Sequence, residues 1–512
     1  MKMKKVIAIV MAGILSVGAL TGCGEKDKKV ANSTSDIEIR YWNSGLGTDW
    51  LDAVIAGFEE KHPEYNVVYV PSSDSGAVIS TFGLADVDTT DLYLNLRNDQ
   101  IDQLVSLNDV LDSTPEGDSG TIREKFNSGY LGLEQYEDGN VYSLSWGGGL
   151  IGFVYNETLF KEAGITQLPR TTDELAVVCD TLYKKDIVPL CHFKDGGYYN
   201  FLSEAFFAQY NGVDYYYNNF YGCNDGTKDA LSLELFTTKD GRYETLRAYE
   251  KFITPNYVLT GSNSNTHTYM QTQFVSGKCA MMVSGSWMSN EMASVGSTEN
   301  FSMMKLPVIS SIIDNLTTIS KESELRKVIS AIDNVTDDVK AIDEYKQGDS
   351  YVVDGITVSA ADWDRIDEAR NLMPANYSNH SVFIPSYSNA VEGTKEFLKY
   401  FYSDEGQQIF ADTLHFSLPL SKEKLTDKVD EWNEFEMSQH QLQKTTSNFI
   451  SSYNVNKNKI FTVGGSTFGQ KNYIASLSSL NEADRKNADE LWKVYVDFCE
   501  SNYEASWLAN LK

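Results

Sequence analysis

Ile37-Glu38-Ile39-Arg40-Tyr41-Trp42 alternates apolar and polar residues like a half-buried strand, and it runs into Asn43-Ser44-Gly45, a turn. Thr48 stands where it can cap a helix whose apolar face is Leu51, Val54, Ile55 and Phe58, and Pro63 stops that helix. Val67 to Val70 then reads as a second strand, which completes a β-α-β unit. Units of this kind build parallel sheets, and their ligands collect at the carboxyl ends of the strands. Trp42 and Asn43 therefore border an expected crevice.

The pattern recurs downstream. Asp91-Leu92-Tyr93-Leu94 reads as a strand, Thr171-Thr172-Asp173-Glu174 as a capping box, and Leu175 to Lys185 as an amphipathic helix. The fold class is α/β. Trp146-Gly147-Gly148-Gly149 lies between those strands and that helix, where three glycines relax the backbone. The run has neither a Gly-x-Gly-x-x-Gly fingerprint nor a P-loop lysine. It reads as a hinge or close approach, with a plain surface turn as the alternative.

The chain has 512 residues, 42% of them hydrophobic, enough for more than one packed core. With 43 Lys+Arg against 72 Asp+Glu the formal charge is −29, which excludes a nucleic-acid partner, because binding phosphates needs basic residues. Residues 311 to 374 are acidic and mostly helical in pattern, with Ser359 and Asp362 able to cap a helix ending before Pro374. This segment reads as a solvated insertion.

Residues 1 to 22 are read as a signal peptide: Lys2, Lys4 and Lys5 precede an apolar run from Val6 to Leu20, too short for a transmembrane helix. Leu20-Thr21-Gly22-Cys23 resembles a bacterial lipobox, which implies cleavage before Cys23 and lipid on that residue; an ordinary secretory signal is the alternative. Residues 23 to 35 read as a flexible tether. The remaining cysteines, 179, 191, 223, 279 and 499, are odd in number and lack Cys-x-x-Cys spacing. Cys179 shares a helical face with Leu175, Val178 and Leu182 and reads as core. Histidines 62, 192, 267, 380, 415 and 440 lie far apart, so no metal site and no cofactor are expected.

Three stretches together resemble the extracellular solute-binding proteins of family 1, lipoproteins that feed sugars to ABC importers. The first runs from Asp138-Gly139-Asn140-Val141-Tyr142 through Gly152-Phe153-Val154-Tyr155-Asn156 to Leu168-Pro169-Arg170-Thr171. The second is Phe274-Val275-Ser276-Gly277-Lys278-Cys279-Ala280-Met281-Met282 followed by Gly285-Ser286-Trp287, and the third is Phe397 to Gln408, ending near Leu418-Pro419. The resemblance implies a two-lobe periplasmic-binding-protein-like fold with an interlobe cleft. It places residues 36–145 and 385–425 in lobe 1, and 146–384 and 426–512 in lobe 2 with the acidic helical insertion at 311–374. It also implies a monomer on the outer face of the cell membrane, held by its N-terminal lipid and working with ABC permease subunits.

A sugar offers apolar ring faces and a rim of hydroxyls, so its site needs aromatic platforms together with amides and carboxylates. The candidates are Trp42, Asn43, Asp91, Asn95, Trp146, Tyr198, Tyr199, Asn200 and Trp287. Each large aromatic has core packing as its alternative, except that the family's Gly-x-Trp favours a stacking role for Trp287. Arg97 is a weaker candidate, and Tyr215-Tyr216-Tyr217 reads equally as a platform or a strand face. The competing classes are a secreted glycoside hydrolase and a binding protein for a non-sugar solute. No Gly-x-Ser-x-Gly elbow or catalytic constellation supports an enzyme.

Overall fold

Strand β1 (Asp36–Trp42) turns Ile37, Ile39 and Tyr41 inward, each fully buried, and pairs in parallel with β2 (Asn66–Ser72) and β3 (Leu92–Leu94). The intervening helix Asp49–Lys61 buries Trp50, Leu51, Val54, Ile55 and Phe58 and stops two residues before Pro63. Thr48 does not cap it with its side chain. Its carbonyl accepts from the Leu51 and Asp52 N–H groups, while its hydroxyl lies beside the Tyr69 phenol. The molecule is described from a computed structural model covering residues 34–508 except 44–45, 81, 85–88, 97, 99, 137, 222–231, 294, 297–299, 338–340, 376–379, 417–418, 421–431 and 452–472. Residues 1–33, with Cys23 and the tether up to residue 33, and Arg97 and Cys223 lie outside that set.

Two sheets organise two α/β lobes. The first has the order β2-β1-β3-β13-β4, with β4 at Leu144–Ser145 and β13 at Ser381–Phe383, upstream of the return expected at residue 385. The second has the order β6-β7-β5-β8, formed by Leu190–Cys191, Met281–Gly285, Ile151–Asn156 and Phe301–Met303. Strand β5 runs antiparallel to β7 and β8, and β6 runs parallel to β7. The helix Thr172–Tyr183 buries Leu175, Val178, Cys179 and Leu182, so Cys179 is core. Only half of the expected capping box forms. The Thr171 hydroxyl accepts from the Glu174 N–H, but the Glu174 carboxylate is drawn to the Arg170 N–H and guanidinium.

The segment 311–374 holds more than helices. Between the helices Glu322–Asp337 and Ala360–Arg370 lies an antiparallel sheet of β9 (Lys346–Gln347), β10 (Ser350–Val353) and β11 (Ile356–Ser359). Its hairpin turns on Asp354-Gly355, both at positive φ (49° and 80°), the conformation that an Asp-Gly pair supplies. The Ser359 hydroxyl accepts from the Asp362 N–H and caps the second helix as expected, whereas the Asp362 carboxylate accepts from the Thr317 and Thr318 N–H groups. Leu325, Val328, Ile329 and Ile332 are buried, and the Tyr351 ring stacks on Trp363 at 4.2 Å. One face of the insertion is therefore core, and only the other is solvated.

Trp146 to Leu150 leaves the first sheet after β4 and enters the second at β5. Ala375 lies beside Leu150 in an antiparallel bridge and follows β12 (Leu372–Pro374), which pairs in parallel with β14 (Asn448–Ile450). At this passage the Gly148 carbonyl accepts from the Tyr130 hydroxyl, and Gly149 has a φ of +53°. A Cβ on Gly147 would stand 2.7 Å from the Phe416 ring. The glycine run thus serves close packing at a crossing between the sheets. Among the described residues no disulfide forms, and Cys179, Cys191, Cys279 and Cys499 are buried thiols.

Candidate functional site

The carboxyl ends of β1 and β3 carry Trp42 and Asn95. Asn95 has a φ of +68°, a left-handed conformation that asparagine tolerates better than most residues. In that conformation its side chain joins three segments. Asn95 Nδ2 donates to the Trp42 carbonyl at 2.6 Å, Oδ1 faces His380 Nδ1 at 3.1 Å, and the Asn95 N–H donates to the Ser381 carbonyl at 2.9 Å. The His380 carbonyl in turn accepts from the Trp146 N–H at 2.7 Å.

The His380 ring touches side chains from both lobes. Its centroid lies 5.5 Å from Trp146 and 5.4 Å from Phe416, and 6.1 Å from Trp287, which follows β7 of the second sheet. Trp287 folds over Gly285, where an added Cβ would stand 2.3 Å from the indole, so glycine is required for the ring to lie there. Tyr198 meets Trp287 at 5.3 Å, and Phe193 and His267 lie 5.4 and 5.2 Å from Tyr198. Glu291, one helical turn beyond Trp287, accepts from Gln271 Nε2 at 2.8 Å.

Burial sets the electrostatics of this group. It raises the Glu291 carboxyl above the usual range, and burial followed by the Glu291 charge raises the Tyr198 phenol. It lowers His267 to about 4 and His380 to about 3, so both rings are neutral at physiological pH. Among the described residues, the buried atoms His380 Nε2, His267 Nε2, Gln271 Oε1 and Ser286 Oγ meet no hydrogen-bond partner. The group thus combines aromatic faces, neutral donors and acceptors and one carboxylate, a composition suited to a neutral, hydroxyl-bearing solute.

The nine expected residues do not come together in one place. Tyr198 and Trp287 form one aromatic corner, and Trp42, Asn95 and Trp146 are linked through His380. Asn43 is half-buried beside Trp42, and half-buried Asn200 lies in the first turn of the helix Tyr199–Asn211. Trp146 is fully buried and stacks on Trp50 at 4.8 Å, so it braces the crossing from within the core. Tyr199 packs against Phe153, Tyr249 and His192 inside the second lobe. Asp91 sits at the opposite end of β3 from Asn95, where its carboxylate accepts from the Glu38 N–H and the Ser388 hydroxyl. Tyr216 is fully buried in a helical turn, and the Tyr217 hydroxyl donates to the Phe449 carbonyl in β14. Sequence reasoning missed Phe193, His267, Gln271, Glu291 and His380, because residues far apart in the chain meet here only through the fold.

A family model described as bacterial extracellular solute-binding protein matches residues 44–408. The chain is 25% identical over 189 residues to the multiple sugar-binding protein of Streptococcus mutans serotype c; the match takes in 36% of this chain and spans 43% of the length of that relative. Among solved structures, the solute receptor AcbH, described as preferring β-D-galactopyranose, is similar at a TM-score of 0.57 and 13% identity, over 92% of this chain and 99% of that one. RafE of Streptococcus pneumoniae gives 0.55 and 14%, over 94% and 97%, and the GacH receptor of Streptomyces glaucescens, solved with acarbose, gives 0.54 and 15%, over 91% and 97%. At these identities the likeness speaks to the two-lobe fold.

Proposed function

The chain belongs to the bacterial extracellular solute-binding protein family, and on that footing we propose that it captures a carbohydrate, an oligosaccharide, between its lobes for delivery to the permease subunits of an ABC importer. The observation that carries the carbohydrate reading is the Tyr198–Trp287 corner at 5.3 Å beside the neutral, partly unpartnered polar groups of His267, Gln271 and His380. Trp42, Asn43, Tyr198, Asn200 and Trp287 are the proposed ligand contacts, and Asn95 positions the first lobe's edge of the site. Asp91, Trp146 and Tyr199 belong to the framework. The sugars named for AcbH, GacH and RafE support the same class of ligand.

The protein acts in this reading as a monomeric receptor rather than an enzyme. Lobe 1 takes residues 36–145 and a return that includes β13, and lobe 2 takes the second sheet and the C-terminal helices. The Leu20 to Cys23 signature supports lipid anchoring at Cys23 on the outer face of the membrane, where several acyl chains are needed for stable attachment. Among the described residues no helix is long and apolar enough to cross a membrane.

A thermal-shift screen over mono- and oligosaccharides tests the ligand class, since a ligand that binds only the folded state raises its melting temperature. Small-angle scattering with the best ligand should then show a smaller radius of gyration, because a solute touching both lobes favours the closed state. Stabilisation by non-sugar solutes alone would overturn the carbohydrate reading, and release of reducing ends from a glycan would return the chain to the hydrolases. Cys23→Ala should leave the membrane fraction or remain unprocessed.

A further inference from the structure

We propose that His380 is a ligand-binding residue, held as its Nδ1–H tautomer by Asn95 so that Nε2 accepts a hydrogen bond from a hydroxyl of the solute. The inference rests on the carbohydrate reading and names a group on the interlobe crossing that would take part in it.

The tautomer follows from the neighbours. The Trp42 carbonyl is an acceptor, so the Asn95 group facing it at 2.6 Å must be the NH₂ end. That leaves Asn95 Oδ1, also an acceptor, opposite His380 Nδ1 at 3.1 Å. Two acceptors cannot share a hydrogen bond without a proton, so the proton sits on Nδ1. The ring is neutral, because burial holds its pKa at about 3. Nε2 is then a bare lone pair.

That lone pair is buried and meets no donor among the described residues. The rings of Trp146, Phe416 and Trp287 pack around it, and none of them forms a hydrogen bond with Nε2. A buried acceptor without a donor bears its full desolvation cost, and a solute that brings a hydroxyl removes that cost. The position suits the task. His380 is tied to the ends of β1 and β3 through Asn95, and it touches Trp287 from the second lobe, so a solute reaching Nε2 lies against both lobes.

The test uses the full chain labelled with ¹⁵N-histidine. A long-range proton–nitrogen spectrum should show His380 as the Nδ1–H form, assigned by its loss in His380→Asn. Galactose, raffinose, acarbose and the other sugars of the thermal-shift panel are then added singly at saturation. The sugar that raises the melting temperature should move the His380 Nε2 resonance upfield. His380→Asn retains an amide NH₂ for Asn95 and lacks Nε2, so it should bind that sugar about tenfold more weakly at an unchanged melting temperature. Should this variant melt early, the wild-type titration decides alone.

An Nε2–H tautomer in the free protein overturns the proposal. A stabilising sugar that leaves the Nε2 resonance unmoved, or that binds folded His380→Asn as tightly as wild type, overturns it while the carbohydrate reading stands. A panel in which no sugar stabilises the protein or moves Nε2 overturns both.

Discussion

Trp287 and Tyr198 meet edge to face, with ring centroids 5.3 Å apart and 73° between their planes. Such a corner offers a flat indole to one sugar face and a phenol to its rim. Trp287→Ala is expected to weaken sugar binding by about 2 to 3 kcal/mol, roughly 30- to 150-fold. Calorimetric titration with the best sugar of the thermal screen checks this, beside a melting curve without ligand. Because Trp287 is only 7% exposed, the melt is essential. Wild-type affinity in a folded variant removes the ring from the site, and parallel loss of affinity and stability makes it a packing residue.

Asp91 provides the opposite case. Its carboxylate holds the Glu38 N–H at 2.9 Å and the Ser388 hydroxyl at 2.6 Å, far along β3 from Asn95. Asp91→Ala should cost about 1 to 3 kcal/mol of stability by stranding the backbone donor, with sugar affinity unchanged in the folded protein. Denaturant melts and one titration suffice. Reduced affinity at full stability would return Asp91 to the cleft.

The contrast between Trp287 and Asp91 marks how far the sequence could be read. Period-two alternation located β1, and the spacing of Leu51, Val54, Ile55 and Phe58 located the first helix, because both depend on local geometry. The Asp354-Gly355 pair carries a local signal of the same kind, but it lies in an acidic stretch whose overall pattern is helical, and that pattern hides the β10–β11 hairpin. Aromatic residues at element ends gave no direction: Tyr198 faces Trp287, while its neighbour Tyr199 faces the core. His380 and Asn95 stand 285 residues apart and carry no signal until β13 and β3 pair in the first sheet.

Buried neutral histidines make stability depend on pH. Burial holds His267, His380 and His440 at about 4, about 3 and about 4, with Lys444 adding to the effect at His440. In the unfolded chain they titrate near pH 6.5. Below that pH the unfolded state binds more protons, so stability is fully present above it and is lost as pH falls toward the folded values. Asp91 and Glu291, whose carboxyls burial raises, act in the other direction nearer their own range. The melting temperature should therefore fall between about pH 7 and about pH 5.5, and His440→Gln should make the slope shallower. A flat profile across that window would show these rings to be more solvated than their packing implies.

Gly147 tests the crossing itself. A Cβ there would lie 2.7 Å from one carbon of the Phe416 ring and 3.0 Å from the next, and that ring is 1% exposed and set against Trp146 and His380. Gly147→Ala must push Phe416 aside, at a cost of about 1 to 3 kcal/mol, the usual range for overpacking. Gly132, inside the helix Ser128–Glu134, has open space around its own added Cβ. Gly132→Ala should be neutral or stabilising by up to about 1 kcal/mol, since alanine loses less backbone freedom in a helix. The two variants share the same chemical change, so their difference in thermal melts isolates the crossing's packing. The first should also respond less in scattering when sugar is added, because Phe416 and His380 are displaced where the lobes meet. Equal melting temperatures and equal closure would mean that the passage between the lobes is loose enough to accept a methyl group, and that its glycines serve no packing role.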